Sequence, residues 1–284
     1  MSAASLPFPA SLSPSRASDF MTCPLLFRFR SIDRLPEEPS AAAVRGSLVH
    51  RALETLFDLP AAERTVEAAV ELVERAFDEL VRDEPESAAV VQTDDGTSPD
   101  VRTLLNSYFG LEDPRRLEPH ARELGVSAQL VESFEVRGFI DRVDRTPDGA
   151  IRIVDYKTGR SPGAGFEGKA MFQMRFYALA WWRMTGTIPR LLQLMYLGNS
   201  EVLRYEPDEG DLLSTERKIL ALRDAIGRAA DTGDFAATPS RLCDWCSYRA
   251  LCPAWGGSPP PLPPREAWPT SSARTETTDA DAVP

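Results

Sequence analysis

The sequence predicts an α/β fold with a mixed central sheet flanked by helices. Three observations support this prediction: helical periodicity in the first third of the chain, short β-branched segments from about residue 127, and a return to helical periodicity at about 169–185. Two more strand-like segments, near 190–197 and 200–205, precede a last helical segment at about 208–231. Helices, three strands, a helix and two strands in this order are typical of a layered α/β core.

The N-terminal third is predicted to be helical. Ser13 has the character of a helix cap, and the short helix after it is stopped by Pro24. A second helical pattern runs from Val66 to Val81, whereas the acidic stretch 83–100 predicts an exposed loop. Between the short first helix and the pattern from Val66 to Val81, another helix is predicted from apolar residues at helical spacing: Val44, Leu48, Val49, Leu53, Leu56 and Phe57.

Three predicted strands, at 127–135, 137–145 and 150–157, carry the acidic residues of greatest interest. Side chains at positions i and i+2 of a strand point to the same face, so Asp155 and Lys157 should project together, with Tyr156 on the opposite face. The turn signal Pro147-Asp148-Gly149 predicts a hairpin. We therefore expect the hairpin to bring Asp141 alongside Asp155.

Two carboxylates and one ammonium group around a single point favour metal-dependent chemistry. Mg²⁺ prefers oxygen ligands and usually takes one or two carboxylates from a protein. A bound cation acidifies water, and a neighbouring lysine stabilises developing negative charge. A surface strand with an Asp–Lys salt bridge is the alternative, which the apolar run Ile151, Ile153 and Val154 makes less favourable.

Three further side chains are candidates for the same site. His50 lies on the predicted helix that spans Val44 to Phe57, one turn after Gly46. Gln173 and Tyr177 are four residues apart on the predicted helix 169–185 and therefore share a face. A lone helical histidine is most often a surface or core-edge residue, and the alternative for Gln173 and Tyr177 is ordinary amphipathic packing.

Charge and composition limit the classes of function. The 284 residues carry a net charge of −11, but residues 137–205 contain 11 Lys and Arg against 6 Asp and Glu, which is compatible with a local phosphate-binding face. No apolar run is long enough to span a membrane, and Met1 to Ser15 lacks the pattern of a secretory signal. We therefore expect a cytoplasmic protein without a membrane partner.

Four motifs together resemble the RecB-family nucleases, which include the nuclease domains of RecB and AddB and the nucleases of CRISPR adaptation. The resemblance covers roughly residues 11–255 and implies a PD-(D/E)XK, restriction-endonuclease-like core. In chain order, the motifs are Gly46…His50, Gly138…Asp141-Arg142-Val143-Asp144, Asp155-Tyr156-Lys157-Thr158-Gly159 and Gln173…Tyr177.

The resemblance also implies roles for these residues. His50, Asp141 and Asp155 would bind Mg²⁺ or Mn²⁺, with the carbonyl of Tyr156 as a further ligand. Lys157 would position the water, and Gln173 and Tyr177 would hold DNA or the geometry of the site. Some members use an additional upstream glutamate, for which Glu118 and Glu123 are both candidates.

The cysteines predict a second metal centre. Cys243, Cys246 and Cys252 form a compact trio, and Cys23 lies more than two hundred residues upstream. Four thiolates suit either Zn²⁺ or an iron–sulfur cluster. Zinc sites usually pair two short Cys-x-x-Cys units, and Cys23 has no such partner, which makes zinc the less favoured of the two. One remote cysteine with a C-terminal trio resembles the 4Fe–4S nucleases of the same family. The resemblance implies a 4Fe–4S cluster and a helical portion that this cluster staples together.

The predicted organisation is one nuclease domain with two flanking segments. The domain spans 13–255, with a helical part at 13–120, the catalytic α/β core at 121–206, and the last helix with the cysteine box at 207–255. A disordered leader at 1–12 and a disordered Pro/Ser/Thr-rich tail at 256–284 flank it.

The function expected from these features is metal-dependent hydrolysis of DNA, at single strands or ends, in repair or recombination. Any helicase would be a separate partner. The alternatives are a non-catalytic iron–sulfur module that binds DNA or acts as a scaffold, and a nuclease acting on RNA. Fold alone does not decide among them.

Overall fold

The computed structural model describes residues 8–92, 100–163 and 168–269, in which a β-sheet lies between two helical layers. The helices are α1 (Pro14–Thr22), α2 (Pro24–Ser31), α3 (Ala41–Leu56), α4 (Val66–Asp83), α5 (Pro85–Gln92), α6 (Val101–Leu111), α7 (Gly168–Thr185) and α8 (Glu209–Thr232). The strands are β1 (Ser11–Leu12), β2 (Ala121–Val131), β3 (Phe134–Arg145), β4 (Ile151–Lys157), β5 (Leu191–Tyr196) and β6 (Glu201–Tyr205). No helix among these residues is long and apolar enough to cross a membrane.

The sheet is mixed, as predicted. Strands β3 and β4 form an antiparallel hairpin, β5 adds parallel to β4 after the crossover through α7, and β6 returns antiparallel to β5. Strand β2 pairs antiparallel along β3. The other edge of β3 is shared by two strands: β1 pairs parallel at Glu135 and Val136, and β4 pairs antiparallel from Arg142 onward. The part of this edge that includes Asp141 therefore lies between β1 and β4.

Alternation along the central strands divides the core into two apolar clusters. On β4, Ile151 and Ile153 pack into the cluster that includes α7 and α8, whereas Val154 and Tyr156 pack into the cluster that includes α3, α4 and α6. Asp155, between Val154 and Tyr156, therefore faces the α7 side. The catalytic candidates thus lie on a strand that is covered on both faces.

Polar caps fix where the helices begin. Ser13, Ser40, Thr65 and Asp100 each accept a hydrogen bond from a backbone N–H in the first turn of α1, α3, α4 and α6 respectively. Such caps contribute about 1 kcal/mol each. Helix α1 ends before Cys23 and α2 starts at Pro24, so Cys23 lies in the break between two helices.

Several boundaries differ from those that the sequence predicts. The predicted leader 1–12 contains β1, whose buried Leu12 joins the core, and the predicted tail from 256 packs Trp268 against Phe8 and Phe235. Within 83–100, predicted as a loop, residues 85–92 form α5 and bury Ala88. In each case a few apolar side chains find tertiary partners that local composition does not show. Residues 1–7 and 270–284 of the two flanking segments lie outside the described residues.

Candidate active site

The β3–β4 hairpin brings the two predicted aspartates together. Its register pairs Arg142 with Val154, so Asp141 and Asp155 face each other one step further along the two strands. The backbone N–H of Tyr156 donates to Asp141 Oδ2 at 2.7 Å. Strand β4 thus holds one carboxylate through its backbone and supplies the other from the neighbouring position.

Helix α7 completes a chain of hydrogen bonds to Asp155. Lys157 Nζ lies 2.6 Å from Asp155 Oδ2 and donates to Gln173 Oε1 at 3.0 Å. The amide of Gln173 donates to Asp155 Oδ1 at 3.0 Å and to the Tyr177 hydroxyl at 3.2 Å. The one-turn spacing of Gln173 and Tyr177 therefore places both on the face of α7 that looks onto the strand.

Helix α3 brings His50 to the same point. Its Nδ1 lies 3.4 Å from Asp141 Oδ2, and its ring meets the Tyr156 ring edge-on, with centroids 6.0 Å apart. A Cβ at Gly46 would lie 3.3 Å from Thr158 Oγ1. The glycine one turn before the histidine thus lets α3 approach the end of β4 closely.

Glu123, and not Glu118, is the upstream glutamate that reaches the site. The register of β2 and β3 pairs Leu124 with Ile140 and Arg122 with Arg142, which places Glu123 opposite Asp141. Glu123 has a positive φ of 43°, a left-handed conformation that is uncommon for a non-glycine residue. Glu118 instead forms an ion pair with Arg64 at 2.9 Å, with its side chain 75% exposed.

The donor atoms fit a divalent cation. His50, Glu123 and Asp141 offer one ligand atom each within 4.8 Å of one another. Asp155 is only 2% exposed, and its Oδ2 accepts no hydrogen bond from the described residues, although the Lys157 ammonium lies beside it. Carboxylate oxygens with one imidazole suit hard cations such as Mg²⁺ and Mn²⁺.

The protonation properties of Asp141 and His50 also favour metal binding. Burial, and then the charge of Asp155, raise the pKa of Asp141 well above its ordinary value. Burial lowers the pKa of His50, which keeps the imidazole neutral and its lone pair available. A cation between the carboxylates would remove the repulsion that raises the pKa of Asp141.

A family model for the PD-(D/E)XK nuclease superfamily matches residues 11–253. The chain belongs to the PD-(D/E)XK nuclease superfamily. No curated protein matches this PD-(D/E)XK protein. Among solved structures, SSO0001 is 13% identical, with 86% of each chain covered and a TM-score of 0.41. A candidate exonuclease from Eubacterium rectale is also 13% identical, with 84% of this chain and 88% of that chain covered and a TM-score of 0.48.

A buried ionic network lies behind the site of this PD-(D/E)XK protein. The Arg142 side chain is 1% exposed, pairs with both carboxylate oxygens of Glu112, and donates to the Tyr156 hydroxyl at 2.7 Å. Its Nε lies 3.1 Å from Asp144, which also pairs with Arg152 at 2.7 Å. This network fixes the ring of Tyr156, whose backbone N–H holds Asp141.

Two glycines permit close packing around the site. A Cβ at Gly138 would lie 2.8 Å from Tyr177 Cε1, so the phenol ring packs directly over the β3 backbone. A Cβ at Gly198 would lie 2.6 Å from the backbone of Gly159, beyond the end of β4. The sequence motifs include Gly138 and Gly159, whereas the sequence marks Gly198 only as a turn residue between two predicted strands, and its packing role depends on the β4–β5 pairing.

The four cysteines line one small cavity. Cys23, Cys243, Cys246 and Cys252 border a space of about 60 Å³ between α2 and the segment after α8. Backbone N–H groups donate to sulfur at two of them: Thr238 to Cys23 at 3.4 Å and Ser240 to Cys243 at 3.3 Å. Among the described residues, no three of the thiol sulfurs lie within 4.8 Å of one another.

The sequence did not identify every residue that supports the site. It left Glu123 as one of two candidates and assigned no role to Glu112 or Tyr108, which lie on or just after α6. Tyr108 is fully buried and meets the Tyr156 ring edge-on at 5.8 Å. An arginine in the middle of an apolar strand needs a buried acidic partner, and this requirement on Arg142 is the one signal that could have led to Glu112.

Proposed function

We propose that this PD-(D/E)XK protein hydrolyses phosphodiester bonds of DNA, at single strands or ends, with Mg²⁺ or Mn²⁺ bound by His50, Glu123, Asp141 and Asp155. The observation that carries the proposal is that His50, Glu123 and Asp141 offer ligand atoms within 4.8 Å of one another. Asp155, with Lys157 beside it, lies opposite Asp141 on the neighbouring strand. The Tyr156 carbonyl is a further candidate ligand. Carboxylates this close together repel one another, and a bound cation would relieve that repulsion. The half-buried lysine beside them would in turn be paired by an anionic substrate.

The protein side chains position the reactants. When bound, the cation supplies Lewis-acid stabilisation of charge and a more acidic water. Lys157, fixed by Asp155 and Gln173, would stabilise the attacking water and the negative charge that grows on the phosphate oxygens in the transition state. Gln173 keeps Lys157 and Asp155 in register, and the Tyr177 hydroxyl lies next to them as a hydrogen-bond donor to phosphate.

We propose a 4Fe–4S cluster for the cysteine-lined cavity. All four cysteines border one cavity, and Cys23 has no neighbouring cysteine with which to form the short Cys-x-x-Cys unit that is usual in zinc sites. The N–H donors to Cys23 and Cys243 are of the kind that tune iron–sulfur clusters. A cluster there would join α2 to the segment after α8, and its loss would loosen both.

The four motifs in order place the protein, in our proposal, in the RecB-like branch of the superfamily, with a role in DNA repair or recombination in the cytoplasm. In this proposal any unwinding comes from a separate helicase. Single-strand or end preference would follow from such a partnership, because an unwinding partner delivers frayed ends.

One purification tests both halves of the proposal. The protein is isolated without oxygen, its visible spectrum and its iron and zinc contents are measured, and the same sample is incubated with labelled single-stranded DNA, duplex DNA and RNA in Mn²⁺, Mg²⁺ or EDTA. We expect a brown protein with about four irons per chain and cation-dependent cleavage of DNA. A colourless zinc protein would contradict the cluster alone, and preferential cleavage of RNA would contradict the substrate assignment.

Matched variants separate catalysis from folding. Asp155→Asn and Glu123→Gln are expected to lower the cleavage rate by about 10²–10⁴-fold, whereas Glu118→Gln changes a surface glutamate and is expected to leave the rate unchanged. Undiminished cleavage by Asp155→Asn, or equal losses for Glu123→Gln and Glu118→Gln, would contradict the assigned site. DNA binding with no cleavage by the wild type under any of the cations would leave only the non-catalytic module.

A further inference from the structure

A groove of about 760 Å³ leads away from the active site between α1 and the β2–β3 hairpin. Asp141, Gln173 and Tyr177 line one part of it. We call it the α1–β3 groove. Its remaining wall is mixed: apolar side chains, among them Val126 and Phe139, lie beside the cations of Arg16 and Arg137. The groove is therefore continuous with the catalytic residues and is wide enough to accept more than the scissile phosphate.

Arg16 is held in place by the scaffold and not by a carboxylate. Its Nη1 donates to the backbone oxygen of Ser11 at 3.0 Å, and its Nε donates to Ser31 Oγ at 3.3 Å. Its guanidinium also lies over the Phe27 ring, 5.5 Å from the centroid. Among the described residues, no acidic side chain lies within ion-pair distance of Arg16, and Asp19 on the same helix stabilises its charge only from a longer distance.

Arg137 adds a second positive charge to the groove. It lies one residue before Gly138, on the strand that carries Asp141, and its Nη1 is 3.9 Å from Glu135. Glu135 is the acidic residue on this part of the wall, and it also accepts a hydrogen bond from Ser127 at 3.0 Å. Burial, then Arg137 and Arg34, lower the pKa of Arg16 to about 10, as expected for a cation crowded by other cations.

We infer that the α1–β3 groove is a second phosphate site, in which Arg16 and Arg137 bind the backbone phosphate of a nucleotide flanking the scissile bond. The inference rests on the proposed function, which it extends from the reacting phosphate to the strand beside it. A phosphate would supply the ion-pair partner that Arg16 does not have among the described residues, and a guanidinium fixed by Ser11 and Ser31 is already oriented to bind it. Binding there would hold the strand in register with Asp141 and Asp155.

A substitution on the nucleic acid tests this contact directly. Single-stranded oligonucleotides are prepared with one neutral methylphosphonate at each position around the cleavage site, and binding is measured by fluorescence anisotropy in Ca²⁺. For the wild type, we expect one flanking position at which the neutral linkage weakens binding by about tenfold or more. In Arg16→Ala that position should lose its effect, while the other positions keep theirs.

The controls separate folding from recognition. Arg16→Gln keeps a donor toward Ser11 and serves if Arg16→Ala does not fold, and Arg137→Ala should affect the same linkage. Arg75→Ala removes an equal charge from the exposed face of α4 and should leave the methylphosphonate profile unchanged. The slope of log Kd against log salt concentration should fall by about 0.7 for Arg16→Ala, which loses one phosphate contact. Arg75→Ala loses no phosphate contact, so its slope should change by clearly less than that of Arg16→Ala.

The outcomes distinguish this inference from the proposed function. A methylphosphonate profile that is identical in the wild type, Arg16→Ala and Arg16→Gln would overturn the second phosphate site, whether or not the protein cleaves DNA. A profile that depends on Arg16, in a protein that never cleaves, would support the groove and overturn the nuclease proposal. Failure of the wild type to bind any oligonucleotide would overturn both.

Discussion

Replacing the buried Arg142 by methionine is expected to destabilise the protein by about 3–5 kcal/mol. The arginine is 1% exposed and pairs with Glu112 and Asp144, and its loss leaves these two carboxylates with Arg152 alone. Arg152 lies 2.7 Å from Asp144 but 3.9 Å from Glu112, so it cannot replace the lost bonds to Glu112. At about 2–4 °C per kcal/mol for a chain of this size, Tm should fall by about 6–20 °C.

Thermal unfolding of the metal-free protein, followed by circular dichroism, measures this loss. Arg75→Met is the matched control, because Arg75 also faces a glutamate, Glu71 at 3.9 Å, but is 70% exposed and should change stability by less than about 0.5 kcal/mol. The double variant Arg142→Met with Glu112→Leu should recover part of the loss, since no carboxylate is then left unpaired at position 112. Equal Tm values for Arg142→Met and Arg75→Met would refute the reasoning.

Two further predictions concern the site itself. Asp141→Asn should stabilise the metal-free protein at pH 8. Because the pKa of Asp141 is raised in the folded state, the free energy of unfolding falls as the pH rises from the unfolded pKa, near 4, through the folded pKa. Above the folded pKa the loss is about 1.4 kcal/mol for each tenfold by which folding weakens Asp141 as an acid, and a Tm of the variant at or below that of the wild type would contradict the prediction. Gly138→Ala should displace the Tyr177 ring and lower kcat by about tenfold or more. Gly110→Ala, which adds a methyl group in open space on α6, is the control and should leave kcat unchanged. Steady-state cleavage compares the two variants, and equal rates would argue against the packing role of Gly138.

The central part of the site could be predicted from the sequence because it depends on local rules. The two-residue period of a strand is enough to put Asp155 and Lys157 on one face, and a turn at 147–149 is enough to fold Asp141 back beside them. The helical period does the same for Gln173 and Tyr177. Each of these relations spans few residues, so sequence distance and spatial distance agree.

The residues that sequence reasoning missed, and Glu123, which it left as one of two candidates, depend on non-local pairing. Glu123 reaches the site through the register of β2 on β3 and a positive φ, neither of which has a sequence signal here. The predicted strand began at 127, whereas β2 begins at Ala121, so Glu123 was placed outside the sheet. Glu112 meets Arg142 across 30 positions, and β1 is a two-residue strand that pairs with the edge of β3.

The wall of the cysteine-lined cavity comes from two segments that a ribosome makes at very different times. Cys23 and Cys243 are 220 positions apart, which at about 5–20 residues per second corresponds to roughly 11–44 s of synthesis. During that interval the thiol of Cys23 has none of its three companions and is open to oxidants and stray metal ions. A group that needs all four thiols could therefore bind only after Cys252, close to the end of the described residues, has been synthesised.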